Sequence, residues 1–498
     1  MASAAALHPH VKAPDRFFIG GEWATPAGTT LRDVVSAHSG EVYARVAEAE
    51  AADIERAVAA ARDAFDNGPW PRLSHAERAG YLRAIAGRLQ QRMADLGESQ
   101  THQMGIVASA AGGGAYMASM TYTRFADMAE TFPFIERHTP TMGGGIGLVA
   151  YEPVGVVAAI IPWNAPAMLA ALKVAPALLA GCTVIVKASP EAPTEQLILA
   201  EVCEEVGLPA GVVNVVTADR AVSELLVRHP GVDKVSFTGS SAAGRRIASI
   251  CGERIARCTL ELGGKSAAVI LDDYDIDAAA QMLSGSLMYM NGQVCAALTR
   301  VVVPRKRQRD FADAMAAAFR SVQVGDPFDA ATRLGPLATE RQRDRVEGYI
   351  AKGRAEGATL ATGGERPAHL NRGWFVEPTL FIDVDPNATI AQEEIFGPVA
   401  AVIPADDEAH AVAIANNSIF GLNSAVFTRD IDAAYRVGRQ LRAGTVGHNG
   451  FKSDFHIGFG GFKQSGIGRE GGANGLRAYL EPKTMLMDAD AAWADALV

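Results

Sequence analysis

From residue 154 to residue 262 the chain alternates short apolar, β-branched runs (156–161, 183–187, 212–216, 235–238 and 259–262) with stretches of helical character. Runs this short and this uniformly apolar are what a parallel strand needs, because crossover helices cover both faces of its sheet. Between two of the runs, the helical stretch 194–206 stops at Gly207, with Pro209 beyond. Glycine accepts the left-handed cap conformation and proline cannot extend a helix. Strand and helix in alternation, without a succession of hairpins, predict a doubly wound α/β domain whose ligand crevice lies at the carboxyl ends of its strands.

A second alternation begins after Gly264: a run at 267–271, a helix over 276–290, a run at 300–304 and a helix toward Val322. Upstream, Ser74 and Glu77 have capping-box spacing, and Leu82, Ile85, Leu89 and Met93 recur at helical intervals. The first ~130 residues therefore read as helical after a short strand region at 17–23. The glycine turn 143–145 opens an apolar run at 146–151, with which residues 483–487 can pair as a small outlying β element. A chain of 498 residues exceeds what one core organises and implies two or three domains.

The net charge of −10 leaves no basic footprint for nucleic acid or an anionic membrane surface. The basic run 304–309 reads as a solvated helix start. Five cysteines, with no CxxC pair and no metal-type spacing, favour neither a disulfide framework nor a zinc site, and no metal is expected. The amino terminus lacks a basic-then-apolar leader, and the apolar stretch 154–161 falls far short of the ~20 residues of a membrane span. A cytoplasmic protein in a reducing compartment is expected.

Chemistry gathers at the predicted strand ends. The first strand runs into Pro162, Trp163 and Asn164, the second ends at Lys187, the fourth at Phe237, Thr238, Gly239 and Ser240, and the fifth at Glu261, Leu262, Gly263, Gly264 and Lys265. A helix opening at Ser240 aims free N–H groups and the positive end of its dipole at a phosphate, although the glycine spacing alone is a weak signal. Cys295 follows Asn291, Gly292, Gln293 and Val294. A cysteine alone is more often an inert hydrophobe. A thiol nucleophile also needs an oxyanion donor and a base, and Asn164 and Glu261 offer both. The other four cysteines read as core.

These residues, with Glu393-Glu394-Ile395-Phe396-Gly397-Pro398 and Phe459-Gly460-Gly461-Phe462-Lys463, resemble the ordered motifs of the aldehyde dehydrogenase superfamily over nearly the whole chain. The resemblance implies NAD(P)-dependent oxidation of an aldehyde to a carboxylic acid. Cys295 is then the nucleophile, and Asn164 with the Cys295 N–H forms the oxyanion site. Glu261 is the base that activates water, and Lys173 and Glu470 form a proton relay whose alternative is a surface ion pair. Cofactor contacts fall at Ile160, Pro162, Trp163, Lys187, Gly239, Ser240, Leu262, Glu394 and Phe396. Glu394 serves the nicotinamide ribose and Lys187 the adenine ribose, while Lys265 and Phe396 also support the surrounding fold. The implied fold is a Rossmann-like cofactor domain (1–131 and 153–262), a second α/β catalytic domain (263–477) and a β oligomerisation element (132–152 and 478–498). That element pairs subunits into a homodimer or homotetramer.

One departure bears on the cofactor. Three residues after Lys187, many NAD-preferring relatives have a Glu that grips the ribose 2′-hydroxyl, whereas this chain has Pro190 followed by Glu191. NAD is favoured and NADP not excluded, because no further Arg or Lys lies beside Lys187 along the chain. By rough correspondence Met168, Leu172, Tyr289, Phe451, Phe455 and Phe459 line a substrate tunnel for a medium-sized aliphatic, terpenoid or aromatic aldehyde, complicated by Lys452 and His456. The alternative for such an aromatic stripe is core. Two other functions compete: a CoA-acylating semialdehyde dehydrogenase, whose members generally lack a Glu at position 261, and a silent structural relative, which the presence of Cys295, Asn164, Glu261 and Glu394 opposes.

Overall fold

The computed structural model describes residues 10–490; the leaderless reading of the amino terminus and the last residues of the proposed oligomerisation element lie outside them. Among the described residues, Val156–Ile160 forms the middle of an eight-stranded sheet. Thr183–Ala188 and then Val213–Thr217 lie on one side, and Lys234–Thr238 and then Arg257–Glu261 on the other. These five strands are parallel and wind in the order third, second, first, fourth, fifth. Phe17–Ile19 and Gly466–Ile467 join antiparallel at the two flanks. The central strands are buried on both faces because separate apolar clusters pack above and below them.

The second domain repeats the winding. Val399–Ala405, Arg300–Pro304, Ala267–Ile270, Asn423–Phe427 and Thr445–His448 are neighbours in that order and parallel. The two sheets meet in opposite senses. Asn164, Ser240 and Glu261 lie at carboxyl ends of the first sheet, whereas Gly264 and Cys295 precede Ala267–Ile270 and Arg300–Pro304 and so lie at amino ends of the second. A third, antiparallel sheet joins Ile135–His138, Ile146–Pro153 and Leu480–Met487, with Lys483 opposite Ala150 and Met487 opposite Ile146.

Three expectations require correction. The first ~130 residues contain an additional hairpin, Leu31–Val35 with Val42–Ala47, whose buried face is carried mainly by Val34, Ala44 and Val46, too few apolar positions to mark a strand pair. The helix expected to reach residue 290 ends at Met288, and Met290 and Asn291 turn into the left-handed region with φ of 50° and 56°. Cys182 lies buried between a helix and a strand, not inside either. Arg305 and Lys306 of the basic run pair with Asp406 and Asp272 at the surface. No described helix is long and apolar enough to cross a membrane, and no group of three His, Cys, Asp or Glu among the described residues could hold a metal ion.

Candidate active site

The loop that presents Cys295 is strained, and buried amides pin it. Asn291 donates from Nδ2 to the carbonyls of Gly105 (2.9 Å) and Pro336 (2.8 Å), and its Oδ1 accepts from Gly335 N (2.9 Å). Gln293 accepts from Ala338 N at 2.9 Å and donates to Met104 O at 3.3 Å. Left-handed backbone at a residue other than glycine persists only when its surroundings over-determine it, and these bonds do so. A Cβ at Gly292 (φ +71°) would lie 2.4 Å from the Gly397 carbonyl carbon, and one at Gly264 would lie 2.2 Å from Cys295 O. Sequence reasoning quoted Asn291 and Gln293 but missed this duty; two amides so close to the candidate nucleophile were the available signal.

Asn164 is buried and donates from Nδ2 to Gln293 O at 3.1 Å, which sets its amide beside the cysteine loop. The N–H groups of Ala296 and Cys295 point at the thiol sulfur and favour its anion. Burial is the larger effect; with the negative charges of Glu394 and Glu261 it pushes the Cys295 thiol well up, so the neutral thiol predominates at pH 7. Because the thiolate fraction then grows as pH rises, alkylation by iodoacetamide should accelerate about tenfold per pH unit between about pH 7 and 9. A plateau by pH 7 would mean the sulfur is already ionised.

Glu261 is 2% exposed and neither of its carboxyl oxygens has a protein partner. Burial, reinforced by the charge of Glu470, holds it well above the ordinary carboxylate range against the pull of Lys173. Lys173 comes from the helix Pro166–Ala180. Its ammonium contacts Glu470 and donates to Thr238 Oγ1 at 2.7 Å. Both members of the pair are buried, so the surface-ion-pair alternative is corrected. Glu470 is fixed in turn by two backbone bonds with Phe459 (2.7 and 2.8 Å).

The remaining sequence-predicted residues border the same cleft. Glu394 accepts from Gly264 N at 3.0 Å, and burial raises its carboxyl to about 7 against that bond and the charges of Arg345 and Lys265. Trp163 and Phe396 meet edge to face, with ring centres 5.3 Å apart. Phe396 holds a φ of +64°. Ser240 caps the helix Ser241–Arg254, accepting from Ala243 N at 3.3 Å, while Ser241 Oγ is buried without a partner. Gly239 backs onto the Phe237 ring, 2.5 Å from a hypothetical Cβ, and Leu262 lies as close to Gly244. Ile160 closes the central strand before Pro162, and Lys187 sits at the end of the neighbouring strand, its ammonium lowered by burial to about 8. A helix N-terminus, an unpartnered hydroxyl beside it, the buried Glu261 carboxyl and the half-buried Glu394 carboxyl fit a polar dinucleotide laid across the strand ends.

Of the tunnel candidates, Phe451, Phe455 and Phe459 pack in one apolar cluster with Cys295, Phe455 and Phe459 having ring centres 4.7 Å apart. Met168 and Leu172 pack in an adjoining cluster that shares Phe455 and Val294. Tyr289 is 46% exposed and belongs to neither cluster.

Cys295 is thus half-buried beside the loop that Asn164 bonds, with the buried Glu261 at the end of a facing parallel strand. The chain belongs to the aldehyde dehydrogenase family, whose model matches residues 23–485. It is 42% identical to geranial dehydrogenase of Castellaniella defragrans over 96% of this chain and 99% of that one. It is 37% identical to the chloroplastic betaine aldehyde dehydrogenase of Beta vulgaris over 95% and 96%. A Mycobacterium tuberculosis aldehyde dehydrogenase complexed with NAD+ superposes with a TM-score of 0.93 at 44% identity, covering 95% of this chain and 98% of that one. Aldehyde dehydrogenase C of Pseudomonas syringae, with NAD+ and octanal, gives 0.93 at 37%, covering 97% and 99%.

Proposed function

We propose that this chain oxidises a medium-sized apolar aldehyde to its carboxylic acid with NAD+, through a thioester on Cys295. The observation that carries this is the convergence of Cys295, Asn164 and Glu261 on one cleft with apolar walls.

Ionised Cys295 attacks the aldehyde carbon, and the resulting oxyanion is held by the Asn164 amide and the Cys295 N–H. Such a donor pair is worth about 3–4 kcal/mol per lost member in related chemistry. Glu394 and the cofactor contacts named above would hold NAD+, with Glu394 at the nicotinamide ribose, and the bound nicotinamide would supply the acceptor for the hydride that leaves this carbon. The thioester that remains on Cys295 is attacked by water. Glu261 takes the water's proton, and the Lys173–Glu470 pair beside it carries that proton outward. The sulfur leaves as thiolate and the acid departs, so aldehyde, NAD+ and water give acid, NADH and a proton. The Glu261 carboxyl supports water and not CoA as the acyl acceptor.

In this reading residues 1–131 and 153–262 bind the cofactor and residues 263–477 carry the nucleophile. Residues 132–152 and 478–498 join subunits, supported by the edge strand Leu480–Met487, on which Leu486 is 71% exposed. The five unpaired cysteines support a reducing, cytoplasmic setting.

The test is a panel of aliphatic, terpenoid, aromatic and quaternary-ammonium aldehydes, each with NAD+ or NADP+, followed by reduced-cofactor absorbance. Turnover of medium-chain apolar aldehydes without added CoA is expected. NADH formation only when CoA is supplied would overturn the assignment.

A further inference from the structure

The helix Pro166–Ala180 opens without a cap of its own. Its N-cap residue, Ala165, has no polar side chain, and Pro166 at the first helical position has no N–H, so the first main-chain donor is Ala167 N. An N-cap side chain ordinarily serves that donor from within the turn. Here the acceptor comes from another helix. Glu195, in the first turn of Thr194–Glu205, takes the Ala167 N–H on Oε2 at 2.7 Å.

That bond holds the turn which carries Asn164. Beyond the central strand the chain passes Ile161, whose N–H donates to Lys187 O at 3.0 Å, and then reaches Ala167, so the two bonds clamp the turn at its two ends. Between them Asn164 donates from Nδ2 to Gln293 O at 3.1 Å, beside Cys295. Glu195 is 3% exposed, and its other oxygen, Oε1, has no protein partner. Burial raises its carboxyl to about 8 against the Ala167 bond, so the neutral acid predominates at pH 7 and an uncharged oxygen makes the bond. A carboxyl placed this way does little for stability, because one hydrogen bond must offset the loss of its water. Ala167 is partly exposed, so water can take over its N–H when Glu195 is replaced. What the carboxyl supplies, and an apolar side chain cannot, is a fixed direction for the turn.

We propose that Glu195 is a positioning residue for oxyanion stabilisation: by fixing Ala167 it aims the Asn164 amide at the place where the aldehyde oxygen becomes charged. This rests on the oxyanion role given to Asn164 above. A residue outside the reacting groups matters here because misplacing a donor by about 1 Å can cost about 10²-fold in rate.

Stopped-flow measurement of the first NADH formed per site, which reports acylation and hydride transfer ahead of deacylation, tests it on the full chain. Glu195→Met, apolar and of similar length, should slow that burst about 10–100-fold. In the same variant NAD+ affinity by titration calorimetry should stay within about threefold and the melting temperature within about 2 °C. Glu195→Gln keeps an uncharged acceptor oxygen at the same reach, so its burst should recover to within about threefold of the wild type. Asn164→Ala should slow the burst about 10²–10³-fold, the order for one lost oxyanion donor. Because Glu195 acts through Asn164, adding Glu195→Met to Asn164→Ala should slow it by less than about threefold more. Should Glu195→Met melt early, Glu195→Asp draws the acceptor back by one methylene and should slow the burst about tenfold. An unchanged burst in a folded Glu195→Met or Glu195→Asp, a Glu195→Gln as slow as the methionine variant, or multiplied losses in the double variant overturns the assignment alone. An unchanged burst in Asn164→Ala overturns the oxyanion reading with it.

Discussion

Replacing Cys295 by alanine is expected to lower aldehyde-dependent NADH formation by at least about 10⁴-fold, the order seen when a covalent nucleophile is lost from an intact site. Dinucleotide affinity should stay within about threefold of the wild type, because alanine removes one sulfur and leaves the loop's anchors untouched. Those anchors belong to Asn291 and Gln293, whose bonds to residues 104, 105 and 335–338 do not involve the thiol. Turnover of the alanine variant at the wild-type rate would remove Cys295 from the chemistry. Turnover and cofactor affinity lost together would instead show that the sulfur holds the loop.

Glu261→Gln should separate the two halves of the reaction. Acylation and hydride transfer need the thiolate and the oxyanion donors, so a burst of roughly one NADH per site is expected to survive. Deacylation needs a base within reach of water, and it should slow by about 10²–10⁴-fold. Glutamine preserves the volume and the burial at this position, which is only 2% exposed, so misfolding does not confuse the result. Burial holds the wild-type carboxyl neutral at the lower end of the pH range, and a raised carboxyl gains its base form as pH rises. The wild-type deacylation rate should therefore climb with pH, while that of the glutamine variant stays flat. A steady-state rate unchanged in Glu261→Gln would take the base role away from it.

Much of this cleft was legible residue by residue. The β-branched runs reported the five parallel strands because a strand covered on both faces has nowhere to place polar side chains, and their ends carried Asn164, Lys187, Ser240 and Glu261. The hairpin at residues 31–47 was less visible, since one half-exposed face leaves only a weak alternation. Tyr289 was drawn toward the tunnel by its place in the chain, yet the turn through Met290 and Asn291 leaves it half exposed beside the packed phenylalanines' clusters. Burial of the Lys173–Glu470 pair could not be read at all from residues 297 positions apart.

By itself the sequence determined the kinds of element, their order and the chemical groups at their ends, because hydrophobic period and strand-end composition are local properties of the chain. Only the tertiary structure decided that carboxyl ends of one sheet face amino ends of the other, and that Arg341 reaches Glu191 across 150 residues. The physical reason is that burial and charge pairing depend on distance in space. A carboxyl becomes a neutral acid, an ionised acceptor or an ordinary surface group according to what the fold brings within a few ångströms of it.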